Sequence, residues 1–368
     1  MRVAVVGPTH PFKGGVAAHT TELARHLETA GHDVELVSWS RLYPKVLYPG
    51  EQAVPQGVPD VEPFVRTSRR LSWARPDSWW RTGRRLRRFD LVVLVHVVPA
   101  VVPAHLTLLG AAGRGVPVVV VAHNVLPHET HPGARRLVTA LLRRADAVVV
   151  HSEEQAERAR SLGARDVREL AMPAHLPGGA PVERPPYDPP GDGPIRLLSL
   201  GIVREYKGID LLVEALREVP GVRLTVAGEL WGGAGDRVRQ LASSPGLAGR
   251  LDVRVGYVPA TELASLLAEH DVVVLPYRSG TASQNALLAY AHGLPVVATR
   301  TGSFTTDVRE GVDGLLCDPG SSDALRAALR RLVEPGVLER LRDGVRPPDL
   351  EGPWQRYVDG LTTRVGPA

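Results

Sequence analysis

Residues 275–299 read LPYRSGTASQNALLAYAHGLPVVAT. The apolar run that ends at Leu275 gives way to a hydroxyl-rich loop and then to a helical stretch closed by Gly293. Glycine is the residue that most readily takes the left-handed turn at a helix end. A second apolar run, Pro295 to Thr299, follows at once. Strand, loop, helix, strand is the unit of a parallel sheet. Free backbone N–H groups at Gln284 and Asn285, where the helix opens, would suit a phosphate.

The same alternation runs through the chain. Apolar runs start at Arg2, Asp33, Asp90, Pro117 and Asp146 in the first half, and at Arg196, Val222, Leu251, Asp271 and Pro295 in the second. Several show little polar alternation, as strands covered on both faces do. Between them, Val16, Thr20, Leu23, Ala24, Leu27 and Ala30 share one helical face, and Ser152 with Gln155 makes a capping box. The expected fold class is α/β. Residues 173–194, PAHLPGGAPVERPPYDPPGDGP, have no periodicity and read as a linker. They divide residues 1–172 from 195–352, each half predicting a doubly wound, Rossmann-like sheet. Ligands of such sheets bind at the carboxyl ends of the strands, so the cleft between the two domains is the expected site.

Composition narrows the class. Of 368 residues, 43% are hydrophobic and 23% charged, and the 37 glycines and 32 prolines make up under a fifth of the chain, which excludes low-complexity disorder. The net charge of +4 suits an anionic ligand. With Cys317 as the single cysteine, an intrachain disulfide and a thiolate zinc cluster are both excluded. MRVAVVGPTH lacks the apolar core of a signal peptide. Leu91 to Gly113 is broken by His96, Pro99, Pro103 and His105, and reads as a strand and a helix rather than a membrane span. A cytoplasmic protein is expected.

Three loops could carry chemistry. Gly14 and Gly15 precede a helix and permit close backbone approach to an anion, or make an ordinary turn. Their spacing is neither GxGxxG nor GxxxxGK[ST], so the dinucleotide fingerprint and the P-loop are absent. The matching loop of the second half, GIVREYKG at 201–208, carries Arg204 and Lys207. A planar fork and a point charge there could neutralise a diphosphate, or be solvated surface charges. His123 ends a strand and suits hydrogen bonding or proton transfer, a structural role being the alternative. His128, Glu129 and His131 follow closely, but the spacing is not HExxH and no metal is expected.

Taken together, LPYRS…LLAYAHGLPVVATRTGS, GIVREYKG upstream and DVREGVDGLLCDPG downstream resemble the retaining glycosyltransferases of family 4. The Gly14-Gly15 loop, RADAVVVHSEEQ and the Trp354 helix carry the resemblance over nearly the whole chain. It implies the GT-B fold, two Rossmann-like domains facing across a cleft. It also implies transfer of a sugar from a nucleotide-diphosphate-sugar, with retention, in glycan, glycolipid or natural-product assembly. The nucleotide sugar is the substrate, and neither a cofactor nor a metal is implied. Arg204 and Lys207 would grip the diphosphate, assisted by Ser283, Gln284 and Asn285 and by Gly14 and Gly15 of the opposite domain. The base would sit near Glu229, Tyr257 and Val258. His123 would be the catalytic residue beside the transferred sugar, and the last helix, about 353–368, would cross back onto the first domain. The acceptor would be a glycan, a lipid-linked group or a small molecule.

The sequence departs from the family in one respect. The positions of the usual Glu-x7-Glu pair hold Gly280 and Leu288, and that of a further glutamate holds Thr306. The missing carboxylates leave the nucleotide and sugar unnamed, and admit a nucleotide-sugar-binding partner without transferase activity as the alternative. An epimerase would need acid and base carboxylates that the sequence does not present. Arg66 to Arg88 holds nine arginines with Trp73, Trp79 and Trp80. It suits a peripheral contact with the anionic inner face of a membrane. The plainer reading is a solvated helix whose tryptophans pack on the domain. No nucleic-acid-binding module is present.

Overall fold

The computed structural model describes residues 1–44, 52–54, 59–126, 133–178, 191, 193–280 and 283–363. They form two compact units, Met1–His175 together with the chain end from Asp349, and Leu176–Pro348.

The first unit runs β1 (Arg2–Val6), α1 (Gly15–Thr29), β2 (Asp33–Arg41), β3 (Thr67–Ser72), α2 (Pro76–Leu86), β4 (Leu91–His96), α3 (Val102–Ala112), β5 (Val118–Ala122), α4 (Ala134–Arg144), β6 (Ala147–Val150), α5 (Glu153–Ser161) and β7 (Val167–Glu169). Its seven strands are all parallel, in the order β3-β2-β1-β4-β5-β6-β7. Side chains alternate between two cores. Val3, Val5, Val93, Val119 and Val149 face Leu23 and Leu27 of α1, with Trp354 and Tyr357 from the chain end. Ala4, Val6, Leu94, Val120 and Val148 face α2 to α5. Burial on both faces is why these strands lack polar alternation.

The second unit runs β8 (Ile195–Leu200), α6 (Ile209–Arg217), β9 (Val222–Gly228), α7 (Gly232–Ala242), β10 (Leu251–Val255), α8 (Ala260–Ala268), β11 (Val272–Leu275), α9 (Gln284–Ala291), β12 (Val296–Thr299), α10 (Phe304–Asp307), β13 (Gly314–Cys317), α11 (Ser322–Leu332) and α12 (Val337–Gly344). The parallel order β10-β9-β8-β11-β12-β13 repeats that of the first six strands of the first sheet. Helix α13 (Glu351–Thr362) returns to the first unit and packs on α1.

Several strands begin one residue after an aspartate that the apolar runs had included, and the reason is physical. Asp90, Asp146 and Asp271 each accept the backbone N–H of a neighbouring strand, from Arg2, Val118 and Arg196, at 2.7–2.8 Å. Each carboxylate clamps two strand starts together instead of extending the ladder. The strands β3, β7 and β13 were not read from the sequence. The first two are short sheet edges with exposed charges, and edge strands carry charge to deter pairing with other chains.

Candidate functional site

In the second unit the strand order reverses between β8 and β11, and the loops after these two strands flank that switch point, the usual ligand crevice of open α/β sheets. These are the Arg204–Lys207 and Tyr277–Ser283 loops. The β8–β9 ladder continues beyond the sheet edge, because Val203 N–H donates to Glu229 O at 2.8 Å and Trp231 N–H donates to Val203 O at 3.2 Å. Glycine permits this closeness: a Cβ on Gly228 would lie 2.1 Å from Gly201 O. The bridge sets Arg204 beside Trp231, with the guanidinium carbon 4.5 Å from the ring centre. The indole N–H of Trp231 donates to Glu229 Oε2 at 2.9 Å.

Lys207, on a single 3₁₀ turn, reaches back over Gly201, where a Cβ would meet its Nζ at 3.0 Å and Asn285 Nδ2 at 3.9 Å. Asn285 Nδ2 donates to Leu200 O at 2.9 Å, and Ser283 Oγ lies 3.2 Å from the Tyr277 hydroxyl. Lys207 and Asn285 thus both border Gly201, with Ser283 beside Asn285 at the start of α9. Among the described residues neither Arg204 nor Lys207 is ion-paired to a carboxylate. One expectation is corrected here. The Asn285 amide is not free, because Ser283 caps α9 and accepts its N–H at 3.4 Å. Tyr257 and Val258 follow β10 at the same sheet edge, where Gly256 N–H donates to Gly228 O.

A further pair braces the two loops. Arg278 donates to both oxygens of the buried Asp210 and to Glu205 O, while its own backbone N–H donates to Tyr206 O. Burial pushes the Asp210 carboxyl up, but hydrogen bonds from Arg278 and Arg237 outweigh it and hold the group below its ordinary range. Trp231, Arg278 and Asp210 escaped the sequence reading. The arginine stood within the quoted stretch, but nothing local marked its partner, 68 residues upstream.

In the first unit, His123 follows β5 and its backbone N–H donates to His96 O at 3.2 Å. The ring meets that of His19 at 4.8 Å, edge-on, and lies 5.3 Å from His151. His19 also contacts His175, Trp354 and Tyr357. Burial, reinforced by repulsion between the rings, holds His19 and His123 well below the ordinary histidine range. His123 is therefore a neutral hydrogen-bonding group at pH 7 and a weak base. Gly14, at φ +100°, precedes α1, and a Cβ on Gly15 would stand 3.2 Å from His175 Nε2. His128, Glu129 and His131 lie outside the described residues. Among those described, no cluster of His, Cys, Asp or Glu could hold a metal ion.

The arginine-rich stretch is not one helix. Its first part is the edge strand β3, and only Pro76–Leu86 is helical. Trp79 packs inward and its indole N–H donates to Ser72 O, whereas Trp73 and Trp80 are 42% and 50% exposed. Packing of all three tryptophans is thus corrected. A large open groove at the amino-terminal edge of this sheet is lined by Arg2, Asp33, Glu35, Arg66 and Arg88. Its charges are spent on one another, in the Arg66–Asp33 and Arg88–Glu35 pairs, and it lies at the wrong end of the strands for the site.

Two sheets that share the 3-2-1-4-5-6 order, the first extended by a seventh strand, with cationic loops at the switch point of the second, define the GT-B class. Comparison with known proteins agrees. The model described as Glycosyltransferase Family 4 matches residues 13–169, and that described as Glycosyl transferases group 1 matches residues 194–335. The D-inositol 3-phosphate glycosyltransferase of Acidothermus cellulolyticus is 26% identical, over 95% of this chain and 84% of its own. The glycogen synthase of Mycobacterium tuberculosis is 27% identical, over 92% and 88%. The crystal structure of Anabaena Alr3699/HepE in complex with UDP superposes with a TM-score of 0.70 at 18% identity, over 98% of this chain and 100% of that one. The chain belongs to the family 4, group 1 glycosyltransferases. Among the described residues no helix is long and apolar enough to cross a membrane.

Proposed function

We propose that the protein transfers a sugar from a nucleotide-diphosphate-sugar to an acceptor hydroxyl with retention of anomeric configuration, in glycan, glycolipid or natural-product assembly. The observation that carries this reading is the pair of cations, Arg204 and Lys207, held without carboxylate partners among the described residues at the switch point of the second sheet. The Anabaena structure of the same fold was solved with UDP, which supports a nucleoside diphosphate as the ligand class.

Breaking the anomeric bond leaves its electron pair on the diphosphate and positive charge on the sugar ring. Arg204 and Lys207 are there to meet the developing negative charge, the kind of preorganised stabilisation that lowers a barrier most. The acceptor oxygen bonds to the anomeric carbon on the face the diphosphate leaves, and its proton passes to a phosphate oxygen. His123 hydrogen-bonds near the sugar and takes no proton. Glu229, Tyr257 and Val258 receive the base. A binding protein without turnover is the second reading, favoured by Gly280 and the buried Leu288 at the carboxylate positions.

Exposed Trp73 and Trp80, with Arg84 4.9 Å from the Trp80 ring centre, suit a peripheral contact with an anionic membrane. Equal co-sedimentation with phosphatidylglycerol and phosphatidylcholine vesicles would remove that contact.

Thermal shift against UDP, GDP, dTDP and ADP, free and as their sugars, tests the donor. A ligand of the native state raises the melting temperature. One nucleotide class should do so in the wild type and fail in Arg204→Ala and Lys207→Ala. Equal shifts in both variants would sink the diphosphate assignment, and product formed with that donor separates transferase from binding protein.

A further inference from the structure

We infer that Trp231 is a positioning residue for the donor site. Its ring holds the guanidinium of Arg204 in place for the diphosphate, and its indole N–H fixes Glu229 on the other side. The inference rests on the diphosphate role proposed for Arg204.

An exposed arginine with no carboxylate partner would sample many rotamers, and fixing it on binding costs conformational entropy. Here the backbone determines where the side chain starts. The Val203–Leu230 bridge, with its hydrogen bonds on either side, places residues 204 and 231 next to each other beyond the sheet edge. Trp231 then offers the aromatic face that best attracts a cation, and Arg204 lies 4.5 Å from its centre. A stacked guanidinium keeps its N–H edge available, because the ring occupies only its face. The orientation of the indole is fixed in turn by the 2.9 Å bond to Glu229. A carboxylate in place of Trp231 would neutralise Arg204; a ring orders it and leaves its charge for the ligand. One residue thereby joins the region expected to receive the base to the region expected to receive the diphosphate.

The test is a double-mutant cycle read by calorimetric titration with UDP, GDP, dTDP and ADP, using the tightest of them and its parent nucleoside. Trp231→Leu should weaken the diphosphate about three- to thirty-fold more than it weakens the nucleoside, which loses only what release of Glu229 costs. Trp231→Phe, which keeps a ring, should fall between Leu and wild type. In an Arg204→Ala background, Trp231→Leu should cost the diphosphate no more than it costs the nucleoside. Equal losses for nucleoside and diphosphate, whatever residue 204 is, would mean that Trp231 stacks on the base and would overturn the inference. So would an unchanged diphosphate affinity in Trp231→Leu while Arg204→Ala still loses binding, which keeps the donor reading. If Arg204→Ala has no effect, or no diphosphate binds, the donor reading fails first and the inference with it. Melting temperatures within a degree or two of wild type exclude unfolding as the cause, and a variant that does melt early is replaced in the cycle by Trp231→Phe.

Discussion

Arg278 holds Asp210 through both terminal guanidinium nitrogens, at 2.8 Å to one carboxylate oxygen and 2.7 Å to the other. Asp210 opens α6 and Arg278 follows β11, so the pair fastens the Arg204–Lys207 loop to the loop leading into α9. Removing one partner of a buried pair costs about 3–5 kcal/mol. Arg237 still reaches Asp210 at 2.9 Å, so Arg278→Ala should cost about 2–3 kcal/mol in urea denaturation, no more than the low end of that range. Arg278→Lys should recover only part, because an ammonium cannot span both oxygens. An unchanged urea midpoint in Arg278→Ala would show that the brace is idle.

Gly208 lies between the two loops at φ +63°, and a Cβ there would stand 2.1 Å from Pro276 O. Gly208→Ala therefore combines a left-handed strain of about 1–2 kcal/mol with a backbone clash that no rotamer relieves. Gly31, at φ +84°, has nothing within 4 Å of its Cβ position. Gly31→Ala should cost the strain alone and leave nucleotide binding intact, whereas Gly208→Ala should also weaken it. Matching losses in the two variants would refute the steric argument.

The parallel sheets were legible because strands buried on both faces must be apolar throughout, as Leu91–His96 and Val118–Ala122 are. The loop that carries Arg204 and Lys207 was legible as a loop because glycines bracket its charges between a strand and a helix. Other features left no local trace. β3 reads TSRRLS, whose edge position makes its composition that of a loop. The pairing of Asp210 with Arg278, and of Arg204 with Trp231, depends on which strands become neighbours. His19 was passed over because the α1 pattern was read for its apolar members, although a histidine on a buried helical face was itself a signal.

The buried histidines make the first unit acid-sensitive. Burial lowers His96, His151 and His175 to about 4 and His105 to about 3. In the unfolded chain each returns to about 6.5. Above that value both states are neutral and the full stability is present. Below it the unfolded state binds protons that the folded state refuses, and stability is lost until the folded values are reached near pH 4. Each such histidine contributes about 1.4 kcal/mol per pH unit in that window. The melting temperature should drop steeply from pH 6.5 to 5, and hydrogen exchange should show residues 1–175 opening before 195–348. A flat profile would mean that the imidazoles are hydrated.

His123 has its pKa well below 6.5, chiefly through burial, so it remains neutral across the physiological range. With His123 beside the transferred sugar as proposed, His123→Ala should lower kcat more than it raises the donor KM, because such a hydrogen bond matters most in the transition state. The wild-type kcat should show no inflexion between pH 6 and 8 that the variant lacks. Such an inflexion would make His123 a titrating acid or base.

Trp354 ties the chain end to these histidines. Its ring stacks on His26 at 4.5 Å and on His19 at 5.2 Å, and its indole N–H donates to Ala174 O at 2.9 Å. Trp354→Ala should destabilise the first unit by about 3–5 kcal/mol. The same ring also keeps water from His19, whose low pKa comes first from burial. Opening that cover lets the folded state accept a proton more readily, which narrows the gap to the unfolded value. The variant should therefore be less stable at every pH and yet lose less between pH 7 and 5 than the wild type does. Trp354→Phe, which retains a stacking ring, should keep the wild-type slope. Parallel pH profiles for wild type and Trp354→Ala would show that α13 holds the fold without shielding the histidines.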